Sequence, residues 1–167
     1  MEYKLKSISQ AGIGEANSKA ELYRLLNEPE EAESICHDVL ATDPENQTAL
    51  RLLGLAISDQ FKGAADDRYV EAESIFQRLT DPYERAYFTG LALERRAKAQ
   101  LGAGRPPHTL LVLFEEAMRC FSEAERIRPA GNDDAILRWN RCVRILQSKD
   151  EADWHQKVEA FDVGDAY

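Results

Sequence analysis

The fold of this chain is decided by the stretch EAMRCFSEAERIRP, residues 116–129. Ala117 and Ala124 stand seven residues apart, so they lie on one side of a helix, with Phe121 between them. Small residues on that side let a second helix approach closely, and the phenylalanine ring fixes the crossing. Pro129 ends the helix, because a proline does not fit inside the following turn.

The same pattern occurs twice earlier in the chain. It is written EAESICHDVLATDP over residues 31–44 and EAESIFQRLTDP over residues 71–82. Each copy has alanine in second place, cysteine or phenylalanine four residues later, and proline at its end. An internal repeat of this kind takes precedence over any single motif in predicting the fold, and it indicates a stack of similar helical units.

Composition predicts one helical domain. The chain has 167 residues, of which 44% are hydrophobic and 31% charged, a balance typical of a folded helical protein. No stretch is long enough to predict a membrane span, and residues 1–7 lack the apolar run of a signal peptide. We therefore predict a cytoplasmic protein that does not bind membranes. Three cysteines without metal-ligand spacing are predicted to be buried thiols: Cys36, Cys120 and Cys142.

The net charge of −9 is unevenly distributed. Residues 1–84 hold 8 basic and 17 acidic side chains, residues 85–149 hold 12 and 7, and residues 150–167 hold 1 and 6. An acidic chain lacks the positive charge that nucleic-acid binding needs, so we predict no such partner. The basic second half is compatible with an acidic protein partner.

Apolar spacing predicts a series of helices bounded by prolines and turns. Predicted helices cover about 15–26, 30–42, a segment that includes 50–57, and about 68–79, 83–101 and 133–147, with another that ends before Pro129. We divide the chain into an N-terminal arm (1–12), a helical solenoid (13–147), and an acidic C-terminal helix and tail (148–167). Two glycines within predicted helices, Gly54 and Gly90, require close helix contact to offset their low helix propensity.

Three helix starts are predicted from capping residues. Asp43-Pro44 is expected to open the third helix, and Asp81-Pro82-Tyr83-Glu84 the fifth. Ser148 and Glu151 have the spacing of a capping box, which predicts a short final helix with Trp154, Val158 and Phe161.

The repeated pattern resembles the tetratricopeptide repeat family. Its first-helix pattern, a large residue followed by Leu-Gly and an aromatic residue, is matched by Leu50, Leu53-Gly54 and Ile57, and more loosely by Ala86, Gly90 and Leu93. Ala20 and Tyr23 take the glycine and aromatic places in the first repeat. The second-helix pattern is matched by Ala72, Phe76 and Pro82, by Ala117, Phe121 and Pro129, and with cysteine for phenylalanine by Ala32, Cys36 and Pro44.

The resemblance implies an all-α, right-handed solenoid of about three helix pairs with a C-terminal capping helix. It further implies a protein-interaction adaptor that binds a peptide or helix of a partner in a concave groove. By the family's pattern the first helix of each pair lines that groove, which gives Asn17, Glu21, Arg51, Leu55, Tyr87, Leu91, Arg95, Ile136, Asn140 and Arg144.

The family's binders of heat-shock chaperones hold a terminal carboxylate with two lysines and two asparagines. The corresponding positions are Asn17, Glu21, Leu52, Glu84 and Phe88. That clamp is absent, so the resemblance does not imply this class of partner.

The repeats are spaced more widely than in the family. The distance from Ala32 to Ala72 is 40 residues and that from Ala72 to Ala117 is 45, against about 34 in the family. We expect both helices of the third pair to be long, with tips that project as a hairpin. The apolar run 110–114 belongs to that hairpin. It either packs against the fourth helical pair or forms a dimer patch, for which the candidates are Leu110, Leu111 and Val112.

Catalytic groupings are scarce, so we predict neither an enzyme nor a cofactor. The histidines, His37, His108 and His155, lack metal-ligand spacing, and the glycines at 102–104 precede a proline pair rather than a phosphate-binding lysine. Two alternatives to the adaptor remain: a self-associating structural protein that uses the 110–114 hairpin, and a regulatory subunit of a separately encoded enzyme. The acidic tail either caps the solenoid or competes with a partner for the basic last repeats.

Overall fold

The computed structural model of the protein describes residues 2–63 and 68–155, and all regular structure in them is helical. Two 3-10 turns lie at Gln10–Gly12 and Pro107–Thr109. Between residues 62 and 67 only the first two are described, and Val158 and Phe161 lie outside the described residues. The described part of the chain contains eight α-helices, namely α1 (Ile13–Leu25), α2 (Pro29–Thr42), α3 (Gln47–Asp59), α4 (Tyr69–Phe76), α5 (Pro82–Gly102), α6 (Leu111–Ile127), α7 (Asp134–Gln147) and α8 (Glu151–Trp154).

Helices α1 to α7 pack against one another in sequence order. Each contacts the one before and the one after it. In addition α1 packs against α3, α3 against α5, and α5 against α7. This arrangement confirms the all-α prediction for the described residues and is consistent with a helical-repeat fold.

Glycine and phenylalanine join the two helices of a pair where the repeats predict close contact. A Cβ atom added at Gly54 of α3 would lie 2.3 Å from Cε1 of Phe76 in α4. One added at Gly90 of α5 would lie 2.8 Å from Cε1 of Phe121 in α6. Both rings are fully buried. Because only a glycine leaves room for the ring, these contacts explain why two helices tolerate a poor helix former.

Of the three helix starts that were predicted from capping residues, one is capped as predicted and two are not. Asp81 caps α5 by accepting a hydrogen bond from the Tyr83 amide at 2.8 Å. The cap of α3 is Asn46 rather than Asp43: its Oδ1 accepts from the Ala49 amide at 2.9 Å. Pro44 therefore lies in the turn before α3, and Asp43 instead accepts a bond from the Asn46 side chain.

The predicted capping box before α8 is wrong. The Ser148 hydroxyl donates to the Ile145 carbonyl at 2.6 Å, so it satisfies the end of α7 instead of the start of α8. The residue that precedes α8 is Asp150, and its side chain makes no capping bond.

The helices of the third pair are long, as predicted, but their ends are covered. Helix α5 has 21 residues and α6 has 17. A Cβ atom added at Gly63 would lie 2.9 Å from Cβ of Ala103, so the loop after α3 lies against the end of α5. At the start of α6 the ring of Trp154 meets that of Phe114 edge to face at 5.8 Å, and its Nε1 donates to the Leu146 carbonyl. Helix α8 thus covers this end of the helical stack.

Two cysteines form part of the core, which leads to a labelling prediction. Cys36 and Cys142 are fully buried, and burial raises the pKa of each thiol to about 12. Since the thiolate is the reactive form, we expect neither to react with iodoacetamide at pH 8 while the protein is folded. Both should react once urea unfolds it, as peptide mass spectrometry would show. Rapid labelling of either site in the native protein would contradict the described packing.

Candidate functional site

The odd-numbered helices α1, α3, α5 and α7 form a row, which we call the odd-helix face. Polar side chains cross from one helix of this row to the next. Asp59 of α3 accepts a hydrogen bond from Arg24 Nε of α1 at 2.7 Å, and its other oxygen lies 2.7 Å from Arg95 NH1 of α5. Less than a quarter of each of these side chains is exposed. One carboxylate therefore holds three helices together.

Arg95 is fixed by further contacts within this cluster. Its NH1 donates to the Ser58 hydroxyl at 2.6 Å and to the Leu55 carbonyl at 3.3 Å. Burial lowers the pKa of the guanidinium, and the charge of Asp59 partly offsets that effect. A cation in such a place depends on its carboxylate partner.

This dependence predicts a stability change for Asp59→Asn. The substitution leaves Arg24 and Arg95 close together without a negative charge between them, and we expect a loss of about 1–3 kcal/mol in the free energy of unfolding. Urea denaturation followed by circular dichroism would measure it. The exposed pair Glu123–Arg126 supplies the control, because Arg126→Gln should produce no measurable change. An unaltered midpoint for Asp59→Asn would show that the cluster is not stabilising.

A second set of ion pairs continues along the row. Arg51 of α3 donates to Glu84 of α5 at 2.6 Å. Glu94 of α5 is fully buried, and its oxygens lie 3.6 Å from Lys98 Nζ and 3.6 Å from Arg138 NH1 of α7. Neither oxygen of Glu94 accepts a hydrogen bond within the described residues. A buried carboxylate of α5 thus lies close to a cation of α7 without accepting a hydrogen bond from it.

A cleft of about 360 Å³ opens between α5 and α7. Its apolar side chains are Tyr87 and Leu137, and 63% of Leu137 is exposed. Two cations, Arg138 and Arg141, stand beside one carboxylate, Asp134. Because the buried Glu94 also faces Arg138, the cleft combines an apolar contact with one exposed cation, Arg141.

Tyr87 is held in the wall of this cleft by other aromatic rings. Its ring stacks on Tyr83 at 5.8 Å, meets Phe88 edge to face at 5.1 Å, and lies 6.0 Å from Phe121. Phe121 is the buried ring that fills the space at Gly90. The repeat pattern therefore contributes to the cleft, because Phe121, which packs α6 against α5, also contacts the ring of Tyr87.

The groove residues predicted in α1 and α3 are placed in different ways. Asn17 is buried, and its amide donates to Asn46 Oδ1 at 3.2 Å. Glu21 is exposed. Arg51 pairs with Glu84, and Leu55 is buried. Two of the four side chains bond to a neighbouring helix and one is in the core, so Glu21 is the one whose surface is largely open to a partner.

In α5 the three predicted residues also differ. Tyr87 lines the cleft, and Arg95 belongs to the cluster around Asp59. Leu91 is buried in the core, so it offers no surface to a partner. The first-helix pattern locates α5 correctly in the row. It does not distinguish the side of α5 that forms the core from the side that lines the cleft.

In α7 the cleft is lined by residues other than those predicted. Ile136 and Asn140 are half-buried and Arg144 is exposed, and the cleft is lined instead by Asp134, Leu137, Arg138 and Arg141. The sequence does contain a signal for the observed side. Leu137 and Arg141 stand four apart, outside the pattern of the buried residues Ala135, Cys142 and Ile145.

The proposed dimer patch does not form a continuous exposed surface. Leu110 is almost fully buried, whereas 53% of Val112 is exposed. Leu111 is half-buried beside Trp154. Burial, the other alternative that the sequence left open, therefore explains most of the apolar run 110–114.

Comparison of the chain with protein-family models gives no match, and comparison with curated proteins gives none either. Within the described residues, no helix is both long and apolar enough to cross a membrane. Nor does that part of the chain group three or more histidine, cysteine or carboxylate side chains around a possible metal position.

Proposed function

We propose that this protein is an interaction module with a right-handed solenoid of tetratricopeptide-like helix pairs. It binds an acidic segment of a partner protein along the odd-helix face. The support for the repeat is the recurring contact of glycine in one helix with phenylalanine in the next. The support for the binding surface is the row of odd-numbered helices, in which exposed side chains of α7 lie beside the half-buried Tyr87 of α5.

The observation that carries the proposal is the cleft between α5 and α7. Arg141 is exposed there, whereas Arg138 lies 3.6 Å from the buried carboxylate of Glu94, and Leu137 presents an apolar side chain that the core does not use. Arginine binds carboxylates with two parallel hydrogen bonds, so acidic side chains are the best match to this charge. An apolar residue of the partner would contact Leu137 and the ring of Tyr87.

The bound segment is expected to be short and either extended or helical. A cleft of about 360 Å³ accommodates a few side chains rather than a folded domain. Helical and extended segments both bind grooves through regularly spaced anchors. We infer a partner motif with two or more carboxylates next to one large apolar residue.

A displayed library of random peptides would test this motif. Sequences selected on the wild-type protein should be enriched in aspartate and glutamate around one apolar position. Arg141→Glu should weaken binding of a selected peptide by roughly tenfold or more, because it replaces attraction with repulsion. Rising salt should weaken the wild-type complex as well.

The matched control is Arg144→Glu. Arg144 is exposed on the same helix but does not line the cleft. Peptides that lose affinity with Arg144→Glu and keep it with Arg141→Glu would place binding on the side predicted from the repeat pattern. Selection of basic peptides, or of none, would refute the proposal.

A further inference from the structure

The carboxylate of Glu94 in α5 is fully buried, and within the described residues neither of its oxygens accepts a hydrogen bond. Two cations face it. Lys98 Nζ lies 3.6 Å from one oxygen, and Arg138 NH1 lies 3.6 Å from the other. Moving a carboxylate out of water is costly unless opposite charge lies nearby. Glu94 therefore interacts with its surroundings mainly through its charge.

Arg138 connects this buried charge to the cleft between α5 and α7. Its side chain is 35% exposed and lines the cleft. It also interacts with the side chain of Tyr87, which forms part of the same cleft. The same guanidinium thus lies close to a buried carboxylate and lines the space for a bound segment.

The other cations near Glu94 do not take the place of Arg138. Arg95 has its own carboxylate partner, since its NH1 lies 2.7 Å from Asp59. Lys98 does not line the cleft. Because buried charges are screened by salt much less than exposed ones, Glu94 lowers the positive potential that Arg138 gives to the cleft.

We propose that Glu94 determines how acidic the segment bound in the cleft is. This inference rests on the proposed function, the binding of an acidic segment at that place. Glu94 is buried and acts through Arg138, so it is a positioning residue and does not touch the partner. One carboxylate of the segment pairs with the exposed Arg141. A further carboxylate beside Arg138 gains less, because Glu94 repels it.

The substitution Glu94→Gln tests this inference, because it removes the buried charge and keeps the shape of the side chain. An acidic peptide selected on the wild-type protein should bind the variant about fivefold more tightly, the order expected when one unit charge is removed near a surface site. Isothermal titration calorimetry would measure this change. Peptides selected on the variant should contain more carboxylates than those selected on the wild type.

The matched control is Glu123→Gln, which makes the same change of charge at an exposed position outside the cleft. It should leave the affinity unchanged. In a protein that also carries Arg138→Gln, the gain from Glu94→Gln should disappear, which a role of Glu94 in packing alone would not produce. Lys98→Gln gives an independent measurement on a partly exposed side chain. It leaves Glu94 to Arg138 alone and should weaken binding about twofold.

Equal affinities of the wild type and the Glu94→Gln variant for a peptide that both bind would overturn this inference and leave the proposed function intact. A gain that persists beside Arg138→Gln would overturn it as well. Should Glu94→Gln lose helicity by circular dichroism, an unchanged affinity of Lys98→Gln would decide against the inference. If neither the wild type nor any variant binds acidic peptides, the proposed function fails and this inference fails with it.

Discussion

Replacing Phe121 with alanine should lower the free energy of unfolding by about 3–5 kcal/mol, the largest effect expected from a single substitution in this protein. The ring is fully buried between α5 and α6. It fills the space that Gly90 leaves open and contacts Tyr87 at 6.0 Å between ring centroids. Alanine would leave a cavity that helices fixed on both sides cannot close. Urea unfolding monitored by circular dichroism would give the value.

Two companion variants make this prediction specific to the buried ring. Phe121→Leu keeps most of the volume and should cost clearly less than the alanine variant. Val112→Ala, on the exposed side of the same helix, should stay within about 0.5 kcal/mol of wild type. Equal effects of Phe121→Ala and Val112→Ala would contradict the described packing of α6 on α5.

Replacing Gly54 with alanine should destabilise the protein by about 1–3 kcal/mol, although alanine is the better helix former. In an open helix the change would gain about 1 kcal/mol from propensity. Here the new Cβ would lie 2.3 Å from Cε1 of Phe76, and the ring is fully buried and stacked on Phe88 at 5.4 Å. The ring cannot move without opening the contact between α3 and α4.

The control is Gly14→Ala, because nothing lies within 4 Å of a Cβ atom added at Gly14 in α1. That variant should be neutral or slightly more stable than wild type. A double variant, Gly54→Ala with Phe76→Leu, should be more stable than the sum of the two single losses predicts, because the smaller side chain relieves the clash. Additive losses would show that Gly54 and Phe76 do not interact.

These contacts were predictable because they depend on spacing within the repeat. The glycine of one helix and the phenylalanine of the next recur at matching positions, so the sequence indicates that they meet. The bounds of helix α5 were predictable as well. They follow from Asp81-Pro82 at the start and from the glycines at 102 and 104 near the end. Capping residues and apolar spacing were sufficient to predict where α5 begins and ends.

Other features depend on neighbours that the sequence does not identify. Leu22, Leu25 and Leu26 have helical spacing, which by itself does not distinguish an inner side of a helix from an outer one. All three are exposed, and within the described residues α1 packs mainly against α2 and α3. In α7 the sequence pattern identifies the buried side. Which of the remaining sides faces α5 depends on how the two helices cross, and the sequence does not give that crossing. For that reason the predicted groove residues in α7 miss the cleft.

The uneven burial along the chain has a consequence for how the molecule opens. Helix α1 buries two residues, Asn17 and Ala20, whereas α3 and α5 bury nine each. When each helix is stabilised mainly by its neighbours, a terminal unit can detach while the centre stays intact. Amide hydrogens of α1 should therefore exchange with deuterium well before those of α3 and α5.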